Sequence, residues 1–156
     1  MAIAGTVRGY IEGRGVAYQP LSHPATGSAH ESAEAAHVLE DHIAKAVILH
    51  DRYGEVMAVV PGDAWVRLHA VNAALGRELV LASETDAARH FPDCEPGALP
   101  PLGPAYGLET LVDEAVTTLA FVFVEAGDHQ TLLKMGTEEY LSLLDGARRG
   151  HFSHKE

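Results

Sequence analysis

Apolar positions along this chain recur alternately at the three-to-four spacing of a helix and the two-residue spacing of a strand. Val7, Tyr10 and Ile11 share one face, which predicts a helix over 3–13 that Gly13 and Gly15 end. Val16–Ser22 reads as a short strand. Ser28-Ala-His-Glu31 has the S-x-x-E pattern of a capping box and opens a helix over 29–38. Lys45–His50 and Glu55–Val60 are strand-like runs joined by Asp51-Arg-Tyr-Gly54, a hairpin signal. Asp63, after Pro61-Gly62, is the expected N-cap of a helix through Leu75 that Gly76 closes. Glu78–Leu81 reads as a short strand, and Ser83 starts a helix that ends near His90. Thr110–Val112, Ala120–Glu125 and Gln130–Met135 read as strands, the last two joined by Ala126-Gly-Asp-His129. Thr137 caps a final helix bearing Tyr140, Leu141 and Leu144, and the tail from Arg148 to Glu156 reads as frayed.

Helices and strands are interspersed, yet several strand pairs are joined by short hairpins. The expected fold is therefore α+β, a mixed and largely antiparallel sheet with flanking helices rather than a doubly wound parallel one. The chain has 156 residues and carries neither an internal repeat nor a linker. One domain over 1–147 with a flexible tail over 148–156 is expected.

One stretch fits no regular element. Phe91–Leu108 holds five of the eight prolines and three glycines, a composition that helices and central strands reject. It also carries Phe91, Leu99, Leu102, Tyr106 and Leu108, which a solvated tether does not need. A long, stiff, partly apolar loop in a compact domain is usually functional.

Composition narrows the classes. Hydrophobic residues make up 47% and aromatics 6%, an ordinary globular balance. The formal net charge of −11 argues against a broad nucleic-acid binder, which displaces phosphate counterions with cations. A contact to one RNA end through a few local lysines and arginines stays open. The N-terminus lacks the basic and apolar regions of a signal peptide, and no apolar run reaches the ~20 residues of a membrane span. A lone cysteine, Cys94, leaves no intrachain disulfide and suits a reducing cytoplasm.

Three positions carry candidate chemistry. Lys45 stands at the start of an otherwise apolar strand, so its ammonium either snorkels to solvent or enters a cleft to meet a phosphate or carboxylate. Gly97-Ala-Leu-Pro-Pro101 is a G-x-x-x-P pattern: glycine lets backbone N–H groups approach a ligand and prolines stiffen that approach, although a purely structural loop fits as well. His129 falls in a predicted turn, as a general base, a substrate contact or a solvated side chain. The ten histidines do not suggest a metal, because none form an H-x-x-x-H pair and His30 and His37 lie about 10 Å apart along a helix. Cys94, flanked by Asp93 and Glu95, is a poor nucleophile and reads as structural. Asp113-Glu114 reads as a helix-start pair more readily than a catalytic one.

Taken in order, the motifs resemble the YbaK/EbsC family of trans-editing aminoacyl-tRNA deacylases, relatives of the insertion domain of prolyl-tRNA synthetase. The resemblance covers roughly 16 to 145. It runs through Ser22-His-Pro24, the Ser28–Ala36 helix, Ala44-Lys-Ala-Val-Ile-Leu49 and Val56–Pro61. It continues through Cys94–Gly103, Leu111-Val-Asp-Glu114 and Val124–His129. It implies a partly barrel-like mixed sheet and hydrolysis of the ester joining a wrong amino acid to the 3′ end of a tRNA. Lys45 then matches the family's substrate-holding lysine. Gly97 and Pro101 match the loop that cradles the carbonyl, and His129 matches a further pocket residue. His23, Ala25, Thr26, Ser28, Leu49, Ala98, Leu99 and Pro100 become pocket walls. Neither a metal nor another cofactor is implied.

Two departures stand out. Leu102 replaces a phenylalanine common in relatives, and the acidic chain calls for help in holding tRNA. That help would come from a synthetase or elongation factor, or from a patch around Arg14, Lys45, Arg52 and Lys134. A catalytically silent module binding a metabolite, nucleotide or protein, and a hydrolase of another small ester or thioester, are the alternative functions.

Overall fold

The computed structural model describes residues 3–25, 29–36 and 38–155. Its six α-helices among those residues are α1 (Gly5–Gly13), α2 (Ala29–Ala36), α3 (Leu68–Leu75), α4 (Glu84–Ala88), α5 (Glu114–Thr117) and α6 (Thr137–Ser142). None is long and apolar enough to cross a membrane. The strands of the main sheet are β1 (Gln19–Ser22), β2 (Ile43–Asp51), β3 (Gly54–Pro61), β5 (Val80–Leu81), β6 (Glu109–Asp113), β7 (Phe121–Glu125), β8 (Thr131–Gly136) and β9 (Arg148–Gly150). They run in the order β1-β8-β7-β2-β3-β6-β9, with β5 also paired to β2. A separate ribbon joins β4 (Trp65–Val66) to β10 (Ser153–His154).

The fold is the expected α+β arrangement around a mixed sheet, but the sheet is open rather than a closed barrel. The hairpins β2–β3 and β7–β8 are antiparallel, whereas β2–β7, β3–β6 and β6–β9 are parallel. The β2–β3 register runs from Ala44↔Pro61 to Asp51↔Gly54. The turn is closed by the Tyr53 N–H donating to Asp51 Oδ1 at 2.8 Å, an Asx turn.

Alternation along β2 sorts its side chains between two cores. Ala44 and Ile48 enter the larger core with Phe91, Leu102, Val124 and Tyr140. Leu49 enters a smaller one with Val56, Leu79, Leu111 and Phe152.

Four local expectations are corrected. Asp63 does not cap a helix; its Oδ2 pairs with Lys155 Nζ at 3.0 Å, and α3 begins only at Leu68, after β4. Thr137 is the first residue of α6 and Gly136 its N-cap. Strand β1 begins at Gln19 rather than Val16. The tail is not frayed, because β9 and β10 are both paired and Phe152 is buried under the sheet. Its polar composition hid the one apolar residue that docks it. Ser28, the expected capping residue, and His37 lie outside the described residues, while Val38, the expected end of the second helix, lies beyond α2. Other signals match: Gly76 closes α3 in the left-handed region at φ 63°, Ser83 accepts from the Asp86 N–H, and Asp113 caps α5. Asp113 also accepts from the Phe152 N–H at 2.7 Å and the Ser153 hydroxyl at 2.8 Å, so it is structural.

Candidate functional site

The parallel strands β2 and β7 pair only through Ile43↔Phe123 and Ala44↔Val124. Beyond that point they part, and the gap is a cavity of about 70 Å³. Lys45 and Ala46 form one wall, Glu125 and Leu132 another, and Gly97, Leu99 and His129 close it. The sheet thus opens a cleft where two chain segments diverge, a usual place for ligands in sheets of this kind.

Lys45 lies on a central strand and is half-buried at this opening. Its Nζ donates to the Ala64 carbonyl at 2.7 Å and stands 5.6 Å from the centre of the Trp65 ring. Among the described residues it makes no ion pair. Burial pushes its pKa below the ordinary lysine value, against a smaller upward pull from Glu40 and Asp63.

The proline-rich loop is stapled to the β7–β8 turn. The Glu95 N–H donates to the Gly127 carbonyl at 2.8 Å, and His129 Nε2 meets the Pro96 carbonyl at 2.7 Å. A carbonyl only accepts, so Nε2 carries a proton, and in the singly protonated ring Nδ1 is the acceptor nitrogen. Beneath the staple, Gly127 has no room for a side chain: a Cβ would stand 2.9 Å from Cys94 Sγ. Asp93 ties the loop to α1 by accepting from the Thr6 N–H at 2.8 Å, and braces the loop internally by accepting from the Tyr106 hydroxyl at 3.0 Å. Cys94 is held in this network, and burial pushes its thiol up to about 12, which makes it inert.

Gly97 sits at φ +83°, and a Cβ there would point at Glu84 Oε1 (3.2 Å) and the His129 ring (3.5 Å). The Ala98 N–H is taken by the Glu95 carbonyl at 3.0 Å. The Gly97 and Leu99 N–H groups have no partner among the described residues, and both residues line the cavity.

The expected residues therefore divide. Lys45, Gly97, Leu99 and His129 converge on one cavity. Ala98 and Pro100 are buried beneath the loop. Pro101 is buried too, and its carbonyl accepts from the buried Tyr140 hydroxyl at 2.6 Å; it anchors the loop instead of meeting the cavity. Leu49 is a member of the smaller core, four residues and about 13 Å along the strand from Lys45. His23 is buried beside the β7–β8 turn, its N–H donating to the Gln130 carbonyl at 2.8 Å, and Ala25 is exposed. Thr26 and Ser28 lie outside the described residues.

Glu125 is the cavity residue that the sequence reading missed. Its Oε1 accepts from the N–H groups of Gly127 (3.0 Å) and His129 (3.2 Å), holding the turn, while Oε2 has no partner among the described residues. Burial raises its pKa, partly offset by those two N–H donors. A carboxylate closing the apolar run Phe121–Val124 just before a Gly-Asp turn was the available signal.

The anticipated cationic patch does not form. Arg14 pairs with Asp145, Lys134 lies over the Phe121 ring, and Arg52 is at the far end of β2, about 23 Å from Lys45.

An open mixed sheet with a small cavity lined by a cation, a carboxylate, a histidine and free backbone donors defines a compact α+β domain equipped for a polar ligand. The family profile of the aminoacyl-tRNA editing domain matches residues 23–143, and the chain belongs to that family. Solved structures share the fold. One is a candidate trans-editing enzyme for prolyl tRNA synthetase, 24% identical over 97% of this chain and 96% of its own, with a TM-score of 0.83. Another, from work on epitope backbone grafting by computational design, is 22% identical over 98% and 97%, also at 0.83. A third is a candidate signal transduction protein from Marinobacter aquaeolei VT8, 24% identical, TM-score 0.77, in which the similar region is 30% of the longer chain. Among curated proteins none matches in sequence.

Proposed function

We propose that this protein is an aminoacyl-tRNA deacylase, acting in the cytoplasm on the ester between an amino acid and the 3′ end of a mischarged tRNA. The observation that carries this reading is that Lys45, Gly97 and His129 line one cavity, in a chain of the editing-domain family.

The reaction asks for little. An aminoacyl ester is already activated, so a positioned water and donors for the oxyanion suffice. The water oxygen attacks the ester carbonyl carbon, and the oxyanion that forms accepts from the Gly97 and Leu99 N–H groups. His129 Nδ1 takes the water's proton. The tetrahedral intermediate then collapses, the bond to the ribose oxygen breaks, and that oxygen leaves as the tRNA hydroxyl after receiving the proton. Glu125, with Oε2 unengaged, receives the substrate's α-ammonium. Lys45 meets an anionic group of the substrate at the mouth.

Size supports a small amino acid. A water needs roughly 10–15 Å³ of such space, so about 70 Å³ admits only a few atoms beyond the α-carbon. Exclusion by one methylene is worth about 1–3 kcal/mol. A synthetase or elongation factor remains the proposed source of further tRNA contacts.

The test is deacylation of tRNAs mischarged with Ala, Ser, Thr or Cys. Turnover of at least one that Lys45→Ala abolishes is expected. An absence of turnover on all of them, or full activity in the variant, would refute the assignment.

A further inference from the structure

The cavity does not end at Lys45. Its mouth runs into an open groove of about 430 Å³ that shares Ala29, Lys45, Ala46 and Gly97 with it. The far wall of the groove is Trp65, the chain's one tryptophan, with 57% of its surface exposed.

Strand alternation explains why that ring faces outward. Trp65 and Val66 pair with His154 and Ser153, so successive side chains point to opposite sides of the ribbon, and Val66 packs against the smaller core. Besides Lys45, the titratable groove-lining residues are Glu40, Asp63 and His30, and His30 is engaged by Glu34 at 2.8 Å and Glu40 at 3.0 Å. Asp63 Oδ1 is buried with no hydrogen-bond partner, while Oδ2 holds Lys155 at 3.0 Å. Carboxylates repel a phosphate chain but accept from ribose hydroxyls and exocyclic amines.

We infer that Trp65 is the stacking platform for the terminal nucleobase of the acceptor end. This inference rests on the deacylase reading, since the cavity holds the aminoacyl group and the groove continues from it to the nucleoside. An exposed indole stacks any base, and the Lys45 ammonium over the ring, 5.6 Å from its centre, adds a cation–π contact beside the stack. The groove is a nucleoside site joined to an amino-acid site, with Lys45 at the junction.

Because Trp65 is the one tryptophan, intrinsic fluorescence reads this site without any turnover. Adenosine 5′-monophosphate is expected to quench it saturably, and ribose 5-phosphate, which lacks the base, is not. In deacylation assays Trp65→Ala raises KM roughly tenfold or more with kcat nearly unchanged, and Trp65→Phe restores most of the affinity. Quenching by ribose 5-phosphate equal to that by the nucleotide, no quenching by either, or an unchanged KM in Trp65→Ala each overturns the proposal. Should the wild type hydrolyse no aminoacyl-tRNA, the deacylase reading fails while the fluorescence titration still decides the base site.

Discussion

Gly97→Ala separates the backbone role of the loop from its chemical one. Gly97 stands at φ +83°, where an L-residue costs about 1–2 kcal/mol. The added methyl itself meets little: the His129 ring at 3.5 Å is an ordinary contact, and Glu84 Oε1 at 3.2 Å is the tip of an exposed side chain that can swing away. The penalty is therefore conformational. With about 2.1 cal/mol/K of unfolding entropy per residue, a chain of 156 residues has about 0.33 kcal/mol/K, so Tm falls by about 3–6 °C. Relief of that strain turns the peptide toward negative φ and swings the Gly97 N–H away from the cavity. Loss of one oxyanion donor costs on the order of a hundredfold to a thousandfold in kcat. Thermal unfolding and single-turnover deacylation on the same preparation measure both. The expected Tm drop with an unchanged rate refutes the oxyanion role; an unchanged Tm refutes the strain argument.

Four further outcomes follow from the same geometry. Lys45→Met lowers kcat/KM by at least about a hundredfold, while its effect on Tm is small, because removal of a half-buried charge that makes no ion pair among the described residues offsets the donor lost from the buried Ala64 carbonyl; denaturation and kinetics together check it. Tyr140→Phe strips the donor from the buried Pro101 carbonyl, at about 1–3 kcal/mol or about 3–9 °C in Tm, whereas Pro101→Ala, which keeps that carbonyl, changes stability more than kcat. The Arg77 guanidinium donates to Asp51 at 2.8 Å and lowers the Asp51 pKa from 3.8 to about 2; that contribution is complete above the unfolded value and is lost as pH falls through about 2, so in urea titrations from pH 5 to 2 Arg77→Gln loses less stability than the wild type. Finally, if Lys45 alone meets the nucleic acid electrostatically, log KM rises with log salt at a slope of about 0.7, about 2.6-fold from 50 to 200 mM; a hundredfold change would reveal a wider phosphate footprint.

Most local signals were legible where the partner was close in sequence, although the α6 cap fell one residue earlier than Thr137. The β2–β3 hairpin, the Gly76 stop and the Ser83 cap all follow from neighbours within a few residues. Asp63 misled because Pro61-Gly62-Asp63 is a good cap pattern, and its real partner, Lys155, arrives from the other end of the chain. The tail misled for the same reason: a short polar segment gains order only from Phe152 and two strand pairings. At the site, residue types were readable but directions were not. Lys45 and Leu49 lie on one face of one strand, and only the fold shows that one meets the cavity and the other a core. Glu125 was hidden because its importance comes from a turn and a loop 30 residues apart in sequence meeting above it.

An acidic protein that acts on tRNA is a physical difficulty only if it must grip the duplex. At −11 the chain repels a phosphate array, and the structure pairs or disperses most of the arginines and lysines that would have formed a gripping surface. What remains near the cavity is one half-buried ammonium, His30 and His129, an exposed indole and carboxylates. On the proposed reading, that set recognises the last nucleoside and its amino acid, and little else. Stacking is indifferent to base identity, and a cavity of about 70 Å³ discriminates by size. On that reading the site would filter amino acids and leave the choice of tRNA to whatever delivers it. Weak affinity for the RNA body then has a use: a protein that held every acceptor stem would compete with synthesis, whereas one that reads only an exposed end samples many and retains few.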